Sequence, residues 1–191
     1  MEFVSEHEVY KLLRELGIER NNVSDDRVEL RMRPDDDVVR VHLAGGESTA
    51  PPLDGADVVA MDKGRMPDVV EHMLHLMHLS EMLLVPVGRW RNVFDAVAFS
   101  LAANEDWQAV DAAATVELNQ RDPLLCVPAD FATIRDLLAA LFKDAEKPEQ
   151  GLMIVSIHAP ILIEVIPDGA LRVSIGNRVL ADEISEAFAV S

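Results

Sequence analysis

The chain has one cysteine, half as many basic as acidic residues, and no apolar run long enough to cross a bilayer. Each shortage removes a class of function. A lone thiol cannot close an intramolecular disulfide or furnish a cysteine-rich zinc site. In the setting Leu124-Leu125-Cys126-Val127 it reads as a small buried hydrophobe in a reducing compartment, with a catalytic nucleophile as the sharper alternative. The 17 Lys and Arg against 34 Asp and Glu leave a net charge of −17, a field that repels phosphate backbones and anionic membranes alike. Nucleic acid and membrane are therefore not expected as partners. The longest apolar stretch, from Leu152 to Ile166, is broken by His158, Pro160 and Glu164. The opening Met1-Glu2-Phe3-Val4-Ser5-Glu6 lacks the basic and apolar segments of a secretory signal, and together with the free thiol this predicts a cytoplasmic protein.

Signature motifs are also missing. There is no Gly-x-Ser-x-Gly, and Gly45-Gly46 is not followed by the Gly, Lys and Ser/Thr that a phosphate-binding loop needs. The triplet Asp35-Asp36-Asp37 has neither the Gly nor the distal Glu of a calcium loop and reads as a solvated turn. No stretch carries the signature of a particular family.

What is present is the composition of an ordered globular chain, 49% hydrophobic and 27% charged over 191 residues. Ser5 and Glu8 have the spacing of a capping box, Val4 and Val9 that of a hydrophobic staple, and Val9, Leu12, Leu13 and Leu16 form a helical stripe that Gly17 ends. Residues 28–32 and 38–43 alternate around a polar turn and predict a hairpin. The Gly- and Pro-bearing segment 44–57 marks a boundary between an N-terminal part, 1–57, expected to pack on the rest, and a main domain, 58–191. A helix is expected over 67–81, opening on Pro67.

From Leu83 onward the chain echoes itself at an offset of 41 residues. Leu83-Leu84-Val85 with Trp90, Val93, Val97 and Leu101 matches Leu124-Leu125-Cys126 with Phe131, Ile134, Leu138 and Phe142, and Ala114-Thr115-Val116 matches Val155-Ser156-Ile157. The periodicities predict strand 82–87, helix 90–103, strand 112–118, strand 123–128, helix 131–144 and strand 151–158. That βαββαβ order, over about 82–158, is ferredoxin-like and places the chain in the α+β class. A second hairpin, Ile161 to Ile166 and Ala170 to Ile175 around Pro167-Asp168-Gly169, and an amphipathic helix through Leu180, Ile184 and Phe188 extend it.

Two clusters carry possible chemistry. On helix 67–81, Asp68, Glu71, His72, His75 and His78 share one arc of about 120° opposite an apolar face. Glu71, His72, His75 and His78 are candidate ligands of a divalent metal, the only cofactor the sequence raises; a solvated face with carboxylate–imidazole pairs is the plainer reading. The spacing is neither His-Glu-x-x-His nor the paired Glu-x-x-His of di-iron bundles. Arg89, Trp90 and Arg91 follow Gly88 at a strand-to-helix turn, where a small anion is a candidate ligand and pairing with local acids such as Asp95 the plainer reading. His158, in an apolar run, reads as a satisfied core histidine. The expectation is a non-catalytic binding or regulatory module acting through protein contact or self-association. A metal-binding or His-dependent enzyme and a sensor of a small anion are the alternatives.

Overall fold

A computed structural model describes residues 1–35, 37–77, 80–115 and 121–189, with residues 184–189 described by backbone alone. In chain order they form β1 (Glu2–Phe3), α1 (Glu6–Glu15), β2 (Ile18–Ser24), β3 (Arg27–Met32), β4 (Val39–Ala44), β5 (Asp57–Ala60), α2 (Met66–Leu76), β6 (Met82–Pro86), α3 (Trp90–Val97), α4 (Glu105–Ala114), β7 (Leu124–Cys126), α5 (Phe131–Asp144), β8 (Leu152–Ser156), β9 (Ile161–Ile166), β10 (Ala170–Ile175) and α6 (Arg178–Ala189). The class is α+β. Eight strands make one sheet in the order β1-β7-β6-β8-β9-β10-β4-β5, antiparallel throughout except for the parallel pair β4–β5, and β2–β3 form a separate two-stranded sheet. No helix among the described residues is long and apolar enough to cross a membrane.

The alternation of side chains along β6 and β8 explains the layers. Met82, Leu84, Leu152 and Ile154 point to one face, where α2, α3, α4, α5 and α6 contribute the larger core. Leu83, Val85, Met153 and Val155 point to the other, where Val9 and Leu13 of α1 and Ile18, Leu30 and Met32 of the β2–β3 hairpin close a second core. Central strands buried on both faces need an apolar residue at nearly every position, which is why these two runs carry no polar alternation.

Three expectations are corrected. The stretch 28–32 does not pair with 38–43: β3 pairs with β2, while β4 joins the large sheet beside β10. The strand β2 had no apolar signature, since five of its seven residues, Glu19 to Asn22 and Ser24, are polar and only Ile18 is fully buried. The strand expected at 112–118 is not there in its first half: Ala112 to Ala114 are the last turn of α4, which the Asn104 side chain caps by accepting from the Trp107 N–H at 2.9 Å. Residues 116–118 lie outside the described residues, and the sheet position beside β7 is taken by β1. The echo therefore covers a strand and a helix in each copy, β6–α3 and β7–α5, while Ala114 is helical and Val155 extended. At α1, Ser5 does stand at the N-cap, but its hydroxyl makes no capping bond; the Glu6 N–H is met by Asp122 Oδ1 at 3.3 Å instead. The helix ends at Gly17, whose φ of 79° is the left-handed conformation glycine tolerates.

The C-terminal hairpin pairs Ile161 to Ile166 with Ala170 to Ile175 as its alternation predicts. Leu171, Val173 and Ile175 enter the helix-side core, and Arg172 and Ser174 face the other way. There the in-register row Glu164–Arg172–His42 crosses β9, β10 and β4. Arg172 bonds Glu164 at 3.0 Å and gives two further bonds to the Pro51 carbonyl, at 3.0 and 2.7 Å. Asp168 holds the Ser48 hydroxyl at 2.9 Å and the Thr49 N–H at 3.0 Å. The segment between β4 and β5 is thus strapped to the hairpin rather than hanging free. His42 is only 2% exposed, and its Nδ1 is buried with no hydrogen-bond partner.

Burial, and then the Arg172 charge, depress the His42 pKa below its usual 6.5, with Asp168 and Glu164 opposing. The unfolded chain then binds a proton at His42 that the folded chain refuses, so this residue removes stability as pH falls below the unfolded value of about 6.5. We expect the stability difference between the wild type and His42→Leu, from urea unfolding, to change by up to about 1.4 kcal/mol per pH unit between about pH 6.5 and the depressed value, always against the wild type on the acid side. A difference that stays flat across that range would contradict the assignment.

Candidate functional site

A cleft of about 470 Å³ lies where the end of the β2–β3 hairpin meets the start of α3 and the single turn Pro148–Gln150. Three backbone bonds fix this junction: Val28 N–H to the Val87 carbonyl at 2.8 Å, Val87 N–H to Gly151 at 3.0 Å, and Gly88 N–H to Glu149 at 3.2 Å. Gly88 is required by close approach, since a Cβ there would stand 2.5 Å from the Glu149 carbonyl oxygen. Arg121 adds a 2.8 Å bond to the Asp25 carbonyl in the hairpin turn. The Arg89 N–H is taken by Asn92 Oδ1 at 3.0 Å, which caps α3.

Around this frame the cleft is lined by Arg27, Arg89 and Arg91 and by Asp26, Asp95 and Glu149, with Ser24 and Asn92 between them. Arg89 meets Asp26 at 3.3 Å and Arg91 meets Asp95 at 3.5 Å, both pairs well exposed. Such surface pairs contribute about 0–1 kcal/mol, so exchanging one for another partner is cheap. Arg27 differs: its Nε is buried without a hydrogen-bond partner, and the guanidinium has no carboxylate within pairing distance among the described residues. The Glu149 carboxylate is likewise without an ion-pair partner among them. Arg27, Asp26 and Glu149 carry no motif that marks them as site residues, because they reach the cleft from the hairpin end and a distant turn. The only local hint was the polar run Ser24-Asp25-Asp26-Arg27.

Trp90 lies beneath the cleft rather than on its surface. Its ring is fully buried, edge-on to Phe3 with centroids 5.8 Å apart and close to Phe94 and Trp107, and its Nε1–H donates to the Asp122 carbonyl at 2.8 Å. The donor is spent, so Trp90 acts as the anchor that orients Arg89 and Arg91.

The histidine face is organised by a cation from another helix. Arg135 of α5 approaches Asp68 at 3.9 Å and Glu71 at 3.8 Å, and bonds Asp136 at 3.1 Å. His75 packs edge-on against Phe131 at 5.2 Å, and His72 is exposed. The helix ends at Leu76 rather than running to 81, and His78 lies outside the described residues. Among the described residues no three His, Cys, Asp or Glu converge in a way that would hold a metal. His158 is corrected from core to surface: it is half exposed, with Nε2 3.1 Å from Glu81 Oε2. Cys126 is fully buried, with Sγ 3.6 Å from the Leu124 carbonyl oxygen, and burial, helped by Asp130, pushes its pKa up to about 12. A thiol so protonated is a poor nucleophile.

No protein-family model, curated protein or solved structure matches the chain.

Two consequences can be measured. Gly88→Ala is expected to lose about 1–3 kcal/mol of unfolding free energy through overpacking, whereas Gly46→Ala, with nothing within 4 Å of its Cβ, should change little. Equal effects at the two sites would refute the close-approach account. Cys126 should be inert to a chromogenic aromatic disulfide in the native protein at about pH 8 and react fully in denaturant; rapid native labelling would show an accessible thiolate instead.

Proposed function

We propose that the chain is a non-catalytic binding module whose Arg27–Arg89–Arg91 cleft takes a small ligand bearing a carboxylate or phosphate. The observation that carries this reading is the Arg27 guanidinium, left without a carboxylate partner and with its Nε buried, in a cleft that holds two more arginines of an otherwise acidic chain. A guanidinium offers two parallel N–H donors that match a carboxylate or phosphate edge to edge. The exposed pairs Arg89–Asp26 and Arg91–Asp95 can turn toward the same ligand at small cost. Glu149 limits the choice: an unpaired carboxylate on the cleft wall disfavours a multiply charged anion and suits an ammonium on the same molecule. An α-amino acid, or another small zwitterion, is therefore the class that fits best. Regulation by such a ligand and a cytoplasmic setting go with this reading, the latter because the lone thiol is kept free.

The test is thermal unfolding in the presence of acetate, inorganic phosphate and a panel of α-amino acids. At about 100 times its dissociation constant a ligand adds about 2.7 kcal/mol, which for a chain of this size raises the melting temperature by several degrees. We expect that rise for at least one zwitterion, its loss in Arg27→Gln, and its survival in Arg135→Gln, which lies outside the cleft. A panel with no effect, or a shift that survives Arg27→Gln, overturns the proposal.

A further inference from the structure

The stretch Ala96-Val97-Ala98-Phe99-Ser100-Leu101-Ala102-Ala103 carries no charge in a chain that is 27% charged. It begins with the last two residues of α3 and runs to the cap of α4 at Asn104. Val97 and Leu101 are buried, but Ala98, Phe99, Ala102 and Ala103 are exposed. Phe99 is 89% exposed, against 36% to 69% for the other exposed large hydrophobics among the described residues. A phenyl ring held almost wholly in water at the turn after a well-packed helix has no role in the monomer core. Exposed aromatics of this kind mark contact surfaces.

Beside it lies a groove of about 440 Å³ between this stretch and α5. Its apolar lining is Leu101, Ala103, Ala139 and Ala140, and its two flanks carry Asp136 and Lys143. Phe99 does not line it, and so the patch presents a knob and a hole side by side. It also presents both signs of charge. Asp136 and Lys143 lie about two turns apart along one helix, a spacing of about 10.5 Å. Lys143 reaches the Ser100 hydroxyl at 3.3 Å, and Asp136 pairs with Arg135 at 3.1 Å and accepts from Asn104 at 3.4 Å, surface contacts that contribute little and that a stronger partner can replace.

We propose that two copies of this chain associate about a two-fold axis at this patch, Phe99 of each entering the Leu101–Ala139 groove of the other and Lys143 of each facing Asp136 of the other. In a two-fold interface residue i meets j while j meets i, so a surface must be complementary to itself in shape and in charge. This one carries both signs of charge, and it sets an exposed ring beside a groove lined by small residues. The small residues at Ala98, Ala102, Ala103 and Ala139 leave room for the backbones to approach. A chain of net charge −17 repels its own copies at long range, so association needs a local patch that is uncharged at its centre and paired at its rim. The groove is small, about 440 Å³, and each copy brings one aromatic and one ion pair to the contact, so the dimer is weak, with a dissociation constant on the order of 10 µM. The inference does not depend on the arginine cleft, which lies at the other end of α3.

The experiment is sedimentation velocity on the full chain from about 1 to about 200 µM at about 0.15 M salt, where the Debye length is about 8 Å. The wild type is expected to pass from monomer to dimer. Phe99→Ser, which alters an exposed side chain and so leaves the fold intact, is expected to raise the dissociation constant at least about thirtyfold. Lys143→Glu and Asp136→Lys should each weaken the dimer, and the double variant should regain it, because the reversed charges face each other again. A wild type that stays monomeric throughout, a dimer that persists in Phe99→Ser, or a double variant no better than the singles overturns the proposal.

Discussion

The structure depends on the burial of β6 and β8 from both sides. Met82 to Val85 and Leu152 to Val155 are essentially inaccessible to water, so the sheet needs a cover on each face. Helices supply one cover in full. The other is assembled from α1 and a largely polar hairpin that would have no reason to fold alone, since only Ile18, Val28, Leu30 and Met32 of its two strands are buried. Docking that hairpin is what the junction at Val87 accomplishes: the Val28 N–H finds its acceptor there, and Met153 Sδ lies 3.2 Å from the Leu30 N–H. Once Val28 is pinned, Asp26 and Arg27 stand beside Arg89 with little freedom to be elsewhere. The cleft is thus a by-product of covering the sheet.

The same demand explains the other end of the sheet. The second cover reaches β6, β8 and the near part of β9, but not β10 and β4. There that face carries a polar row, and the segment after β4 is drawn across it by Arg172 and Asp168. His42 is the part of this solution that fits least well, a buried imidazole with a nitrogen unmatched. Burial with imperfect pairing costs free energy, and that cost grows when the ring is asked to accept a proton.

How much of this was legible in the sequence follows from how local each cause is. α1, α5, β6, β8 and the β9–β10 hairpin obey rules that act within about ten residues, such as a helical stripe, a left-handed Gly, or a Pro-Asp-Gly turn. Their extents fell close to where the periodicity put them. The pairing of β3 could not be read, because a polar partner strand has no apolar alternation, and the apparent partner at 38–43 was in fact committed to β10. The expected strand at 112–118 begins inside α4, where the alanines at 109 and 112–114 favour helix and Asn104 supplies the start. The candidate site shows the same division. Arg89 and Arg91 were visible from their place after Gly88, whereas Arg27 and Glu149 are brought to them only by tertiary contacts. For the histidine face, the missing element was Arg135, which arrives from another helix to meet Asp68 and Glu71.

The arginine cleft and the Phe99 patch sit at opposite ends of α3, a helix of eight residues and therefore about 12 Å long. Proximity of this kind invites talk of communication, but coupling requires an element with two arrangements whose balance both ligands bias. α3 is poorly suited to be that element. Trp90, Val93, Phe94 and Val97 bury one whole face of it, the Trp90 indole is bonded to the Asp122 carbonyl, and Gly88 has no space in which to shift against Glu149. A helix held at its start and along its length transmits little beyond its own rigidity. Occupancy of one end is therefore expected to leave the other unchanged, and the two surfaces are best regarded as independent features carried by one fixed support.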